Sequence, residues 1–321
     1  MGEREPAATP APGWGLLLVL ATAGISGVST FVNGYAVAGT NSDAFVTVRN
    51  LAVAILILPG VWLTTRGVAR RLRPADWGRL VVIGLLGGAI PFLLFFRGLE
   101  IATMAGGATT ASFLYRTLFL WATTFSILFL GERLHLRTAL AAGLLLLGNV
   151  LLLAMTSAVW TDGSLYVMAA TLLWAAEYTV SKRTLRDLPT GTVALGRMGF
   201  GAVFLLGYLA WTGGVGTLGH FSNGQWTWVG ISALLLAGFV VTWYAGLKRI
   251  DLSTASAVLV LGYPVTFLLA AVVRGSPTPW APALGAAVVA AGVALAAGPN
   301  LLRSAGRALT GRRPVPDPPV A

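Results

Sequence analysis

This sequence predicts an all-α integral membrane protein of ten transmembrane helices, arranged as two inverted five-helix repeats with both termini in the cytoplasm. Three observations carry that reading. Hydrophobic residues make up 56% of the 321 and charged residues only 10%, with a mean hydropathy of +0.79, whereas a soluble domain carries roughly 25% charged residues. Apolar runs of about 20 residues, the length needed to cross a ~30 Å hydrocarbon core, recur along the chain. The third observation is an internal repeat in which the second half restates the first.

Taken in order, the apolar runs fall at 13–36, 43–63, 77–99, 104–130 and 136–156, then at 164–182, 190–212, 226–247, 253–273 and 279–299. They leave a short leader, 1–12, and a basic, proline-rich tail, 300–321, whose composition predicts disorder. The first run ends in "GYAVAGT", which contains the small-residue pattern of a signal-peptidase site. The leader "MGEREPAATPAP" lacks a net positive charge and the apolar run is longer than a signal-peptide core, so it is expected to stay as the first span.

The net charge of +11 would suggest nucleic acid in a soluble protein, but here it is topological. With the N-terminus inside, 17 of the 22 Lys and Arg residues fall in cytoplasmic segments and only Arg274 falls in an outside loop. That bias in short loops places both termini in the cytoplasm. The chain has no cysteine and only His135 and His220, which excludes disulfides and cysteine-ligated metals and leaves no ordinary metal site. No cofactor and no nucleic-acid partner are expected.

The repeat aligns "RNLAVAILILPG" from Arg49 with "RMGFGAVFLLGY" from Arg197, and "GLEIATMAGGATTASFLYRT" from Gly98 with "GLKRIDLSTASAVLVLGYPV" from Gly246, both at an offset of 148 residues. The units are therefore 13–156 and 164–299, and an odd number of helices makes them antiparallel in the membrane. Inverted repeats of this kind mark secondary transporters, with the substrate site near the midplane between the copies.

The run "GLEIATMAGGATTASFLYRTLFLWATTFSILFLGERLHLRTALAAGLLLLGNVLLL" resembles the EamA-type unit of the drug/metabolite transporter superfamily, above all in "LFLGERL" followed by a glycine-containing helix. Arg49 and Arg197, early in the second helix of each copy, also fit that unit. The resemblance implies a central cavity and export or exchange of amino acids, sugars, nucleotide sugars or other small metabolites. Copy one departs from the unit by carrying Arg116 where proline is usual, while copy two keeps Pro264. Copy two reads "RGSPTPW" and has no counterpart for the acid of "LGERL".

Arg116 stands mid-span, where a guanidinium costs at least ~2.5 kcal/mol on insertion scales, so something must receive it. It reads either as an anion-binding group in the cavity, through the bidentate fork that suits carboxylate and phosphate, or as a brace paired with Glu177. Glu177 reads as a partner for a substrate amine, as the carrier of a coupling proton, or as a structural partner of Lys182 or Arg183. Arg49 and Arg197 read as gating groups or as charges that snorkel and close the bundle. Arg97 and Glu100, three apart on one helix, are expected to pair.

Trp174, Tyr178, Tyr115, Tyr244 and Tyr263 fall on spans that line the cavity in proteins of this resemblance. Trp14, Trp62, Trp77, Trp226, Trp228 and Trp280, near span ends, read as interfacial anchors. "GLLGGA" and "GAAVVAAGVALAAG" read as close-packing surfaces between helices.

The chain is accordingly read as a secondary transporter of the cytoplasmic membrane, an exporter or proton-linked exchanger of a small polar metabolite. An amino acid or related zwitterion suits Arg116 with Glu177. A phosphorylated or sugar metabolite held by Arg116 with Arg49 or Arg197 is the alternative, as is a lipid-handling or regulatory membrane protein. No Ser/His/Asp set and no paired acids within one span point to an enzyme.

Overall fold

Backbone groups have no water to bond in a bilayer, so apolar runs of this length close their hydrogen bonds within helices. The computed structural model describes residues 12–36, 41–65, 67–68, 72–154, 158–275 and 280–310, and every regular element among them is helical. The main helical stretches are α1 (Pro12–Ala36), α2 (Ser42–Thr64), α3 (Pro74–Met104), α4 (Ala108–Leu130) and α5 (Leu136–Leu152) in the first half. The second half has α6 (Asp162–Thr184), α7 (Thr190–Trp211), α8 (Asn223–Leu247), α9 (Leu252–Val273) and α10 (Trp280–Thr310). Among the described residues, eight of these are long and apolar enough to cross a membrane. α5 is shorter, and α6 is long but carries Asp162, Glu177, Lys182 and Arg183.

Local chemistry fixes where several helices begin. Asn41 caps α2 by accepting from Ala44 N at 2.9 Å. Ser222 and Gln225 form a reciprocal capping box at the start of α8, with bonds of 2.7 and 3.3 Å.

Packing follows the repeat. α1 lies along α8 as α3 lies along α6, while α2 pairs with α7 and α5 with α10. Exchanging the two five-helix sets maps each of these pairings onto itself or onto another, as a two-fold related pair of units requires. Glycines set the closest approaches: a Cβ on Gly285 of α10 would sit 2.5 Å from Leu152 N and 2.8 Å from Gly148 O of α5. The glycine-rich runs therefore do the close packing expected of them.

Three helices are broken midway. In α3 the ladder widens to a π-helix over Gly84–Ala89, just before Pro91. Proline has no N–H to give to the carbonyl four residues back, and its ring crowds that carbonyl, so Gly87 O is released from the helix. α9 is interrupted at Val260 and Leu261, ahead of Pro264, for the same reason. α4 is interrupted at Thr117 without any proline: Thr117 N reaches both Phe113 O and Leu114 O, and its hydroxyl takes Leu114 O at 2.6 Å. The replacement of proline by Arg116 in copy one thus leaves the break in place.

The expectation of disorder over 300–321 fails for its first part. α10 turns at Gly298, whose φ of 74° is the left-handed region that favours glycine, and then continues as helix to Thr310. That segment docks on the start of α1, where Gly13 N donates to Ser304 Oγ at 3.1 Å and Ala305 is buried. Tertiary contact therefore orders a sequence that composition alone reads as loose. The rest of the tail, 311–321, and the leader 1–11 lie outside the described residues.

Candidate functional site

A cavity of about 1020 Å³ enters the bundle from the end that carries the α1–α2 and α3–α4 connections. Asn41, Ser42, Asp43, Arg97 and Glu100 line it at helix ends, so they form its mouth. Thr30, Asn33, Phe95, Ser112 and Tyr208 line it further along, and Tyr115, Arg116 and Tyr263 stand at mid-helix, where it closes. The same three residues line a void of about 30 Å³ on the other side, shared with Tyr178, Phe239 and Ser256. They form the partition across the bundle.

The two helix breaks meet at that partition. Arg116 is the last residue before the break in α4, and its guanidinium carbon lies 4.3 Å from the ring centroid of Tyr263, beside the break in α9. The ring face offers the cation some of what water would have supplied. Arg116 Nη1 is buried and has no hydrogen-bond partner. Around it the rings interlock: Tyr115 is 6.3 Å from Tyr263, 5.5 Å from Trp174 and 4.9 Å from Phe95, centroid to centroid.

Glu177 is elsewhere. Its side chain is fully buried and lines neither space. Oε1 accepts from Tyr244 Oη at 2.7 Å and from Ser181 Oγ, while Oε2 lies 3.6 Å from Arg197 Nη1. Arg197 also donates through Nε and Nη2 to the released Gly87 O, at 3.3 and 3.2 Å, and Trp174 Nε1 donates to the same carbonyl at 3.3 Å. Gly87 must be glycine here, because a Cβ would come within 2.6 Å of Glu177 Cγ.

Arg49 is held by Asn50 Oδ1 at 3.3 and 3.2 Å and by the ring of Phe92 at 5.0 Å, and Asn50 Nδ2 donates to Gly88 O at 2.9 Å. Arg197 thus meets the π-helical turn of α3 directly, and Arg49 meets it only through Asn50.

This geometry corrects several sequence expectations. Arg116 does not brace Glu177; the acid is paired with Arg197 on α7, because the bent-out carbonyl of Gly87 draws that guanidinium to it. Lys182 does not serve Glu177 either, since its ammonium donates to Leu247 O and Ile250 O at 2.7 Å each, where α8 runs out of N–H partners. Arg49 and Arg197 do not snorkel: they are 3% and 4% exposed, enclosed among α2, α3 and α7. Of the predicted lining residues, Tyr115, Arg116 and Tyr263 face the cavity and Tyr178 faces only the small void. Trp174 packs behind Tyr115, and Tyr244 is sealed in the Glu177 cluster. Arg97 and Glu100 do pair, at 2.9 Å, both exposed at the mouth.

The opposite end of the bundle is shut. Glu132, the acid of "LGERL", accepts from Leu252 N at 2.7 Å and Ser253 N at 3.1 Å, so a carboxylate of the first repeat caps α9 of the second. Lys248 donates to Leu188 O at 3.1 Å, and Arg79 pairs with Asp187 at 2.8 Å. Asp251 beside this cap is exposed at the surface, yet its carboxyl is raised above the ordinary value, first by partial loss of water around it and then by the charge of Glu132, against the opposing charges of Lys182 and His135.

The model of the EamA-like transporter family matches residues 13–154 and again 161–298, one copy on each half of this bundle. The chain belongs to the EamA-like transporter family. It is therefore a multi-pass membrane protein of a transporter family, with its cavity lined mainly by the first family unit and completed by Tyr208 and Tyr263 of the second. A probable terminal-alkyne amino-acid exporter of Streptantibioticus cattleyicolor (strain ATCC 35852 / DSM 46488 / JCM 4925 / NBRC 14057 / NRRL 8057) is 28% identical over 304 residues, which cover 94% of this chain and 98% of that protein. A protein of known crystal structure shares the fold at a TM-score of 0.69 and 21% identity, over 88% of this chain and 96% of its own.

Sequence reasoning missed Gly87, Asn50, Ser181 and the capping role of Glu132. For Gly87 a signal existed, since Pro91 four residues later in "GLLGGAIPF" marks its carbonyl as free. Nothing in the sequence says that Arg197 comes to take it.

Proposed function

We propose that the chain is a ten-span transporter of the cytoplasmic membrane, with both termini inside, that moves an amino acid or related carboxylate-bearing zwitterion by alternating access. The observation that carries the reading is the buried, unpartnered Nη1 of Arg116 at the closed end of the cavity. An unmet guanidinium in that position suits an anion that arrives and leaves, and its fork fits a carboxylate. Export of an amino-acid derivative by the relative supports the substrate class.

The substrate amine is assigned to the aromatic faces of Tyr115, Phe95 and Tyr263 and to the polar group of Ser112, because Glu177 does not line the cavity and Asp43 stands at its mouth, away from Arg116. One cation at the closed end favours a monoanionic carboxylate over a phosphate, since Arg49 and Arg197 line neither space. The mouth lies at the outer end and Glu132 holds the inner end shut. The second state exchanges these roles through the repeat. Glu177 and Arg197 serve as a brace for the α3 break.

Substrate binding to the purified protein tests the reading. Arg116→Ala is expected to bind amino acids at least tenfold more weakly, because losing a charged hydrogen bond costs about 1.5–3 kcal/mol, while remaining as stable as the parent. Arg116→Lys recovers part of the affinity, and the matching decarboxylated amines do not bind. Unchanged affinity in Arg116→Ala, or thermal shifts from phosphates or sugars alone, would overturn it.

A further inference from the structure

The helical turns beyond Gly298 face three ways. Taking Leu302 as reference at about 100° per residue, Leu309 falls about 20° to one side, and Arg303 and Arg307 fall about 100° and about 140° to the other. Leu301, Ser304, Ala305 and Ala308 cover the remaining arc, which is the arc against the bundle: Ala305 is buried and Ser304 accepts from Gly13 N. Leu302 and Leu309 are 43% and 71% exposed, and Arg303 and Arg307 are exposed without a hydrogen bond or ion pair among the described residues. A helix that only tied off the chain would need neither exposed leucines nor unpaired arginines beside them.

We propose that residues 299–310 form a surface helix that lies along the bilayer and binds the headgroups of anionic phospholipids. The turn at Gly298, with Pro299 after it, takes the chain out of the direction of α10, and the contact with Gly13 sets which face is turned inward. An apolar edge flanked by cations is the pattern of interfacial helices, where leucines dip below the headgroups and guanidinium forks take phosphate oxygens. Each arginine near an anionic surface favours it about fivefold. Arg312 and Arg313 follow directly in the sequence and carry the same sign.

The chain has no cysteine, so a Leu309→Cys variant can carry one polarity-sensitive fluorophore without background labelling. The full-length protein is reconstituted in phosphatidylcholine vesicles with and without phosphatidylglycerol, each also carrying lipid-borne nitroxide quenchers. Both leaflets then have the same composition, so the result does not depend on which side the segment faces.

The probe at Leu309→Cys is expected to be quenched at least twofold more than one at Thr310→Cys, and more strongly with phosphatidylglycerol than without. The double change Arg303→Gln/Arg307→Gln reduces the phosphatidylglycerol dependence at least twofold, Arg312 and Arg313 keeping the remainder, while the unfolding temperature is unchanged. A probe at 309 that stays water-like in both vesicles overturns the proposal. So does quenching that ignores phosphatidylglycerol, which would leave apolar contact without headgroup binding. Substrate binding is not read in this experiment, so its outcome is separate from that of the Arg116 test.

Discussion

Arg197→Leu removes a guanidinium that the structure uses three times, twice on Gly87 O and once on Glu177 Oε2. The carboxylate left behind is fully buried and keeps only two neutral donors, Tyr244 and Ser181. Breaking a buried pair from one side costs about 3–5 kcal/mol, chiefly because the remaining charge has no counter-ion and no water. Gly87 O keeps Trp174 Nε1, so little of that cost belongs to the carbonyl. Adding Glu177→Gln removes the stranded charge, and the double variant should recover about 2–3 kcal/mol of it, a coupling of the size found for groups in contact. Arg116→Leu, which breaks no hydrogen bond or ion pair, should cost less than about 1 kcal/mol. Reversible unfolding in mixed detergent micelles reads all four proteins on one scale. If Arg116→Leu costs as much as Arg197→Leu, or if the double variant is no more stable than Arg197→Leu alone, the pairing drawn here is wrong.

Glu132→Gln weakens the cap on Leu252 N and Ser253 N by about 1 kcal/mol and so loosens the closed end. A cysteine at the buried Ser256 should then react several times faster with a maleimide supplied from that side, and an unchanged rate would remove Glu132 from the seal. Asp251→Asn should stabilise the protein at neutral pH and make no difference in acid. The folded chain holds the Asp251 proton more tightly than the unfolded chain, so its ionisation costs stability as pH rises from the ordinary carboxylate range through the raised folded value. Parallel unfolding curves for parent and variant at all pH values would contradict this. Reporter fusions within 158–162 and 214–222 should mark the outside, and fusions within 184–187 or at the C-terminus the cytoplasm. An outside C-terminus would reverse the proposed orientation.

The sequence by itself determined the class of protein, the approximate position of each helix and the existence of two related halves. Those properties follow from local quantities: apolar length against bilayer thickness, and a residue-by-residue match at one offset. It also marked Arg116 as anomalous, since a charge amid an apolar run needs no structure to be noticed. What it could not determine was which distant groups meet. Glu177 has charged neighbours in sequence at Lys182 and Arg183, yet it is Arg197 that reaches it, because α3 breaks before Pro91 and offers Gly87 O to the same guanidinium. The tail showed the same limit, for composition read 300–310 as loose while contact with Gly13 makes it helix. Pairings across helices depend on the angle and depth at which whole segments pack. Those are set by the sum of many small contacts, which no single stretch of sequence contains.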